Sequence, residues 1–139
     1  DTIEVLLYER PFRIRLIGID APETGQDFGS KSKQKLSELA FGKMVVGFTE
    51  GQDDYGRNLC LLAVDGVRVD YEMLREGLAW HYLQYSNDRD RAAFEYEAKA
   101  EKLNLWSGNA QLPPWDWRRL PETRQKALFT ETPDGGSLN

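Results

Sequence analysis

The sequence predicts a mainly β member of the α+β class: a small five-stranded barrel carrying about three helices. Three observations point there. Short β-branched or alternating runs recur through the first half of the chain, and turn residues separate them closely. Helical spacing is confined to inserts and to the C-terminal end. The 139 residues fit one ordinary domain, and a 40% hydrophobic, 12% aromatic composition supplies a packed core.

Ile3–Tyr8 is short and apolar and is followed by Glu9-Arg10-Pro11, a turn signal. Arg13–Ile19 begins with polar/apolar alternation, so it reads as a second strand paired to the first. Ser30–Phe41 has Leu36, Leu39 and Ala40 at helical spacing and Gly42 beyond its end, the pattern of a helix with its C-cap. Lys43–Thr49 reads as a strand closed by Glu50–Gly56, and Asn58–Val64 as another. Asp65-Gly66 predicts a two-residue hairpin into Val67–Val69. Asp70 is placed to cap a short helix ending at Gly77, and residues 88–104 form a longer one. From Leu112, Pro-Pro-Trp-Asp-Trp-Arg-Arg reads as a docked strap. The domain then covers residues 1–120, with 121–139 a polar tail. An OB-like barrel closes a few short antiparallel strands in this way.

Eighteen basic against 23 acidic residues give a net charge of −5, on its face unfavourable for nucleic-acid binding. The excess is not uniform: residues 58–108 hold nine acids and six bases, whereas 25–57 balance five against five. The single cysteine, Cys60, excludes an internal disulfide and a Cys-based zinc site, and inside an apolar strand its thiol is expected to be inert. No apolar run approaches the ~20 residues that span a bilayer, and the opening Asp-Thr-Ile-Glu-Val lacks a signal peptide's layout.

Four segments could carry chemistry. Arg13-x-Arg15 precedes Asp20-Ala21-Pro22-Glu23, which puts two carboxylates just past a strand end in a loop stiffened by Pro22. Such a pair can share a hard cation or position a water, and a strand-end arginine can grip a phosphate. Alone, the segment reads more readily as a capped turn with surface arginines. In Asp53-Asp54-Tyr55-Gly56-Arg57 a tight turn places Arg57 at the mouth of the next strand; an ordinary turn is the plainer reading. Asp1 heads the first strand and falls near Asp20 if that strand pairs with Arg13–Ile19. In the aromatic run Gly77–Tyr85, Trp80 and Tyr82 read as packing and Tyr85 as a base platform. His81, the only histidine, reads as a structural residue, and without a partner it supports no Ser/His/Asp chemistry.

Together these segments resemble the staphylococcal nuclease family, from Asp1 to about Trp117. The resemblance lies in Asp1-Thr2, Arg15-x4-Asp20-x-Pro22-Glu23-Thr24, Asp54-Tyr55-Gly56-Arg57, Gly77-Leu78-Ala79 and Ala98-x5-Asn104-Leu105-Trp106, taken in order. It implies an OB barrel with helices and a calcium-dependent phosphodiesterase acting on DNA and RNA. Asp1, Asp20 and the carbonyl of Ala21 would ligate Ca²⁺. Glu23 would orient or deprotonate the attacking water, and Arg15 and Arg57 would neutralise charge on the phosphate. The 5′-oxygen would leave, giving 3′-phosphate ends. Tyr55 and Tyr85 would line the base pocket, where Leu83 replaces a tyrosine usual in the family. The family's first strand is expected upstream of Asp1, and a secreted or envelope location follows from the resemblance alone. The alternative is a catalytically inactive nuclease-like OB module that binds nucleic acid or protein; retention of Arg15, Asp20, Glu23 and Arg57 favours the enzyme. Three of the acids then belong to the cation site, so few phosphates are neutralised and a shallow salt dependence is expected.

Overall fold

A computed structural model describes residues 1–108 and 110–131. Strands β1 (Thr2–Leu7) and β2 (Arg10–Leu16) form an antiparallel hairpin in which Thr2 faces Arg15 and Leu7 faces Arg10. The turn is Tyr8-Glu9, with φ of 50° and 65°. Positive φ at both central residues matches the twist of the flanking strands. Arg10 and Pro11, expected in the turn, therefore already belong to β2. Along β2 the alternation points Ile14 and Leu16 into the core and leaves Arg13 and Arg15 on the other face.

β3 (Ile19–Asp20) follows, then α1 (Gly29–Ala40), β4 (Val46–Gln52), β5 (Asn58–Val64) and β6 (Val67–Arg68). The Asp65-Gly66 turn has positive φ at both residues, as that dipeptide predicts. β2 runs parallel to β5, while β4 and β6 pair antiparallel with β5, giving the order β1-β2-β5-β4 with β6 on β5. Next come α2 (Val69–Arg75) and β7 (Trp80–His81), the latter pairing antiparallel with β3 in a separate two-stranded ribbon. α3 (Arg89–Ala100), a 3-10 turn (Asn104–Trp106), α4 (Pro114–Trp117) and α5 (Glu122–Glu131) follow.

The α+β class and the five-stranded main sheet agree with the sequence, but the barrel does not close. Among the described residues, β1 bonds only to β2 and β4 only to β5, so both remain edges, and the β3–β7 ribbon stands apart from them. The described residues also hold five α-helices rather than about three. Pro114 at the start of α4 removes only an amide that a first helical turn leaves unpaired, so the proline-rich strap can coil. The polar tail begins with α5, and residues 132–139 lie outside the described residues.

The core joins one face of the sheet to α1 and α2 through Ile14, Leu16, Leu36, Leu62, Met73 and Leu74. Cys60 is buried among them, and burial pushes its thiol pKa up, consistent with an inert sulfur. Asp70 is also buried, but it does not cap α2. Its carboxylate receives Arg68 Nε at 2.9 Å and a terminal Arg68 nitrogen at 2.8 Å, and Arg91 Nε of α3 at 2.9 Å. Asp88 is the residue that caps α3, accepting from the amides of Asp90 and Arg91. The Arg91 guanidinium lies beneath Gly18 (φ +79°), where a Cβ would meet it at 2.5 Å, so only glycine fits the turn ahead of Asp20.

His81 is structural, as its sequence setting suggests. It is buried, its Nε2 lies 2.9 Å from Ser86 Oγ, and its amide donates to Glu95 at 2.6 Å. Burial lowers its pKa below the ordinary 6.5, aided by Arg91 and opposed by Glu95 and Asp88. The unfolded chain then binds the extra proton first, so stability is complete above about pH 6.5 and declines as the pH falls below it. Comparing Tm at pH 7.5 and 5.5, the native chain is expected to lose more than His81→Gln. Equal losses would remove His81 from the acid sensitivity.

Candidate active site

Four short elements deliver the polar residues. Arg15 comes from the outer face of β2, Asp20 from β3, Glu23 from the loop after it, and Arg57 from the turn into β5. The Arg15 guanidinium is fixed by two backbone acceptors, the carbonyls of Leu16 at 2.7 Å and Ile19 at 2.9 Å. That anchorage sets it 3.6 Å from a carboxylate oxygen of Asp1 and 3.6 Å from one of Asp20. Burial lowers the Arg15 pKa; Asp20 opposes this, and the charges of Arg57 and Arg118 add to it. Asp20 is fully buried, and a carboxylate so placed requires positive or hydrogen-bonding partners.

Asp1 accepts a hydrogen bond from the amide of Ala21 at 3.0 Å, which ties the head of β1 to the loop beyond Asp20. That loop is built around Gln26. Its side-chain oxygen accepts from the Glu23 amide at 2.9 Å, its own amide donates to the Glu23 carbonyl, and its side-chain nitrogen donates to the Leu112 carbonyl at 2.8 Å. A Cβ at Gly29 would strike the Glu23 carbonyl, so the start of α1 presses directly on the residue that carries the second acid.

Arg57 is held from two sides. Its Nε donates to Asp53 at 2.7 Å, and a terminal nitrogen donates to Thr2 Oγ1 at 2.7 Å, beside Asp1. Burial alone would raise the Asp53 pKa, but donation from the Arg57 amide and side chain and from the Tyr55 amide brings it below the ordinary carboxylate range. Tyr55 lies exposed with its ring 5.8 Å from the Arg57 guanidinium. Tyr85 is exposed and meets Tyr82 edge-on, while Tyr82 stacks on Trp115 with ring centres 5.2 Å apart. Tyr85 lines a separate cavity of about 440 Å³ with Arg68, Asn87 and Asp88. The structure therefore gathers Asp1, Arg15, Asp20, Ala21, Glu23 and Arg57 into one region. Tyr55 sits at its margin through Arg57, and Tyr85 lies on another cavity.

Sequence reasoning assigned no role to Arg118. Its two terminal nitrogens grip both oxygens of Asp20, at 3.2 and 2.7 Å, and one of them also reaches Glu23 at 2.7 Å. Those bonds raise the Arg118 pKa, so the guanidinium stays charged. No local pattern could pair it with acids 95 and 98 positions earlier. Its place beside two tryptophans in the strap was the only cue.

Among the described residues, no group of three or more His, Cys, Asp or Glu side chains forms a metal cage. Asp20 and Glu23 nevertheless converge on one positive charge, with the guanidinium standing where a cation would be shared. Their donors are hard oxygens, the set that suits Ca²⁺ with waters completing its shell. The residues present fit such an ion through this pair, with Asp1 adjacent and engaged by Ala21 and Arg15.

Residues 13–108 match the family described as staphylococcal nuclease homologue. The chain is 43% identical over 119 residues to an uncharacterized endonuclease of Escherichia coli O157:H7, covering 85% of this chain and 78% of that one. A micrococcal nuclease of Shigella flexneri is 39% identical over 130 residues, 86% of this chain and 75% of its own. A probable staphylococcal-like nuclease of Oryza sativa subsp. japonica is 37% identical over 110 residues, 79% of this chain and 33% of that protein. The chain belongs to the staphylococcal nuclease family.

Proposed function

We propose that this chain is a calcium-dependent endonuclease that hydrolyses phosphodiester bonds of DNA and RNA, releasing the 5′-oxygen and leaving 3′-phosphate ends. The observation that carries the reading is the convergence of Asp20 and Glu23 on one positive charge beside the half-buried, backbone-anchored Arg15.

Asp20 would hold the ion, with Asp1 and the Ala21 carbonyl beside it. When bound, Ca²⁺ supplies positive charge against a phosphate oxygen. Glu23, half exposed and next to Asp20, orients a water or takes its proton as the water oxygen bonds to phosphorus. The bond to the 5′-oxygen breaks, and that oxygen leaves with the electron pair and is protonated. Arg15 and Arg57 approach the phosphate from β2 and from the turn before β5. Their donors are fixed in advance by backbone carbonyls and by Asp53 and Thr2, so charge building on the phosphoryl oxygens meets groups that need not reorganise. Tyr55 and Tyr85 offer faces on which flanking bases can stack.

The test is single-stranded DNA incubated with Ca²⁺ or with EGTA, followed by analysis of the ends. Cleavage in Ca²⁺ alone, with ends extendable only after phosphatase treatment, is the expected result. Equal binding under both conditions with no cleavage would assign the chain to the inactive binding modules.

A further inference from the structure

We propose that Arg118 is a built-in competitor of the divalent cation: it occupies the Asp20–Glu23 pair in the cation-free protein and withdraws when the ion binds, so the strap sets cation affinity. The inference rests on the cation reading above and adds the residue that opposes it.

Three observations carry it. First, the contact is a fork on both oxygens of Asp20 plus a bond to Glu23, the oxygens an ion would need. Charge-assisted bidentate pairs of this kind are strong and directional, so ion and guanidinium cannot both have them. Second, the two partners differ in freedom. Asp20 is fully buried and cannot follow a departing partner, whereas the Arg118 side chain is 41% exposed. It sits at the C-terminal end of the four-residue α4, beside a cavity of about 480 Å³ lined by Thr24, Gly25, Trp117 and Glu122, which gives it room to swing outward. Third, Arg15 cannot replace it. One of its terminal nitrogens is committed to the Leu16 and Ile19 carbonyls, and the other stands 3.6 Å from Asp20, an ion-pair distance longer than a hydrogen bond. Once Arg118 leaves, Asp20 is a buried carboxylate whose remaining positive partner is Arg15 at 3.6 Å, and a divalent ion restores the close contact.

Competition of this form weakens the apparent affinity by the fraction of molecules with Arg118 already withdrawn, so a fraction near one tenth gives a loss of about tenfold. The experiment is calorimetric titration with CaCl₂, at fixed ionic strength, of the native chain, Arg118→Gln, Arg118→Lys and Arg119→Gln. Arg119 is the exposed neighbour, and its variant removes a strap charge without touching the carboxylates. Circular dichroism checks that each variant folds. Arg118→Gln is expected to bind Ca²⁺ at least about tenfold more tightly than the native chain. Arg118→Lys is expected to lie between, because it keeps the charge and loses the fork. Arg119→Gln is expected to stay near the native value. Tryptophan emission should also shift on Ca²⁺ addition in the native chain, since Trp117 adjoins Arg118, and much less in Arg118→Gln. If Arg118→Gln binds no more tightly than the native chain, or if both arginine-to-glutamine variants gain equally, competition by Arg118 is overturned while the cation site stands. If neither the native chain nor Arg118→Gln binds Ca²⁺, the cation site is overturned with it.

Discussion

Arg57→Ala is expected to reduce cleavage of single-stranded DNA by about 10²–10³-fold, or ~3–4 kcal/mol of transition-state stabilisation, the usual effect of deleting one preorganised donor. The loss should fall on kcat more than on KM, because charge on the phosphoryl oxygens grows only as the water attacks. The fold should survive. The amides of residues 55 and 57 still donate to Asp53 in the variant, so the turn that presents position 57 keeps its backbone bonds. Arg57→Lys should recover only part of the activity: a lysine keeps the charge but cannot reach Asp53 and Thr2 while presenting a planar fork to phosphate. Single-turnover rates with circular dichroism as a folding control decide the matter. Native-like cleavage by Arg57→Ala would remove that arginine from the machinery.

The largest expected loss of stability lies away from those residues, at Asp70. Asp70→Ala should cost about 3–5 kcal/mol, since it leaves the buried Arg91 with only Ser86 and the more distant Asp88 at 3.6 Å and removes the partner of Arg68. Against the roughly 5–15 kcal/mol that holds a typical domain together, that is a large fraction. Urea denaturation should show a lower midpoint with little change in slope. A shift below about 1 kcal/mol would mean the network is solvated rather than buried. Replacing all three members by apolar residues of similar volume should be far milder than the single change, because no charge is then left unpaired. The network also reaches the site. Arg91 packs under Gly18, two residues before Asp20, so part of the precision at Asp20 depends on α3.

Much of the fold is local in origin and therefore legible along the chain. The alternation of Arg13 to Leu16 sorts core from surface whatever the strand pairs with, and Asp65-Gly66 admits few turns other than the one observed. β5 and α1 fall where their apolar spacing puts them, to within a residue. The first hairpin turn lies earlier than its turn signal suggests, because Tyr8 and Glu9 adopt positive φ that their types do not advertise, while Pro11 looks like a turn residue and serves in a strand. Asp70 resembled a helix cap because a cap is the local use of an aspartate there. Arg91, 21 positions away, claims it instead.

The candidate site divides in the same manner. Asp1, Arg15, Asp20, Glu23 and Arg57 can be named from the sequence only because their order and spacing resemble the family's pattern; taken alone, each segment reads as an ordinary strand end or turn. The open edges of the sheet at β1 and β4, the grip of Gln26 on Leu112 and the seat of Arg118 on Asp20 and Glu23 are decided only by the tertiary structure. The physical reason is range. Periodicity and turn chemistry act over a few residues, whereas the partner of a buried charge is chosen by whatever the completed fold brings within about 3 Å of it.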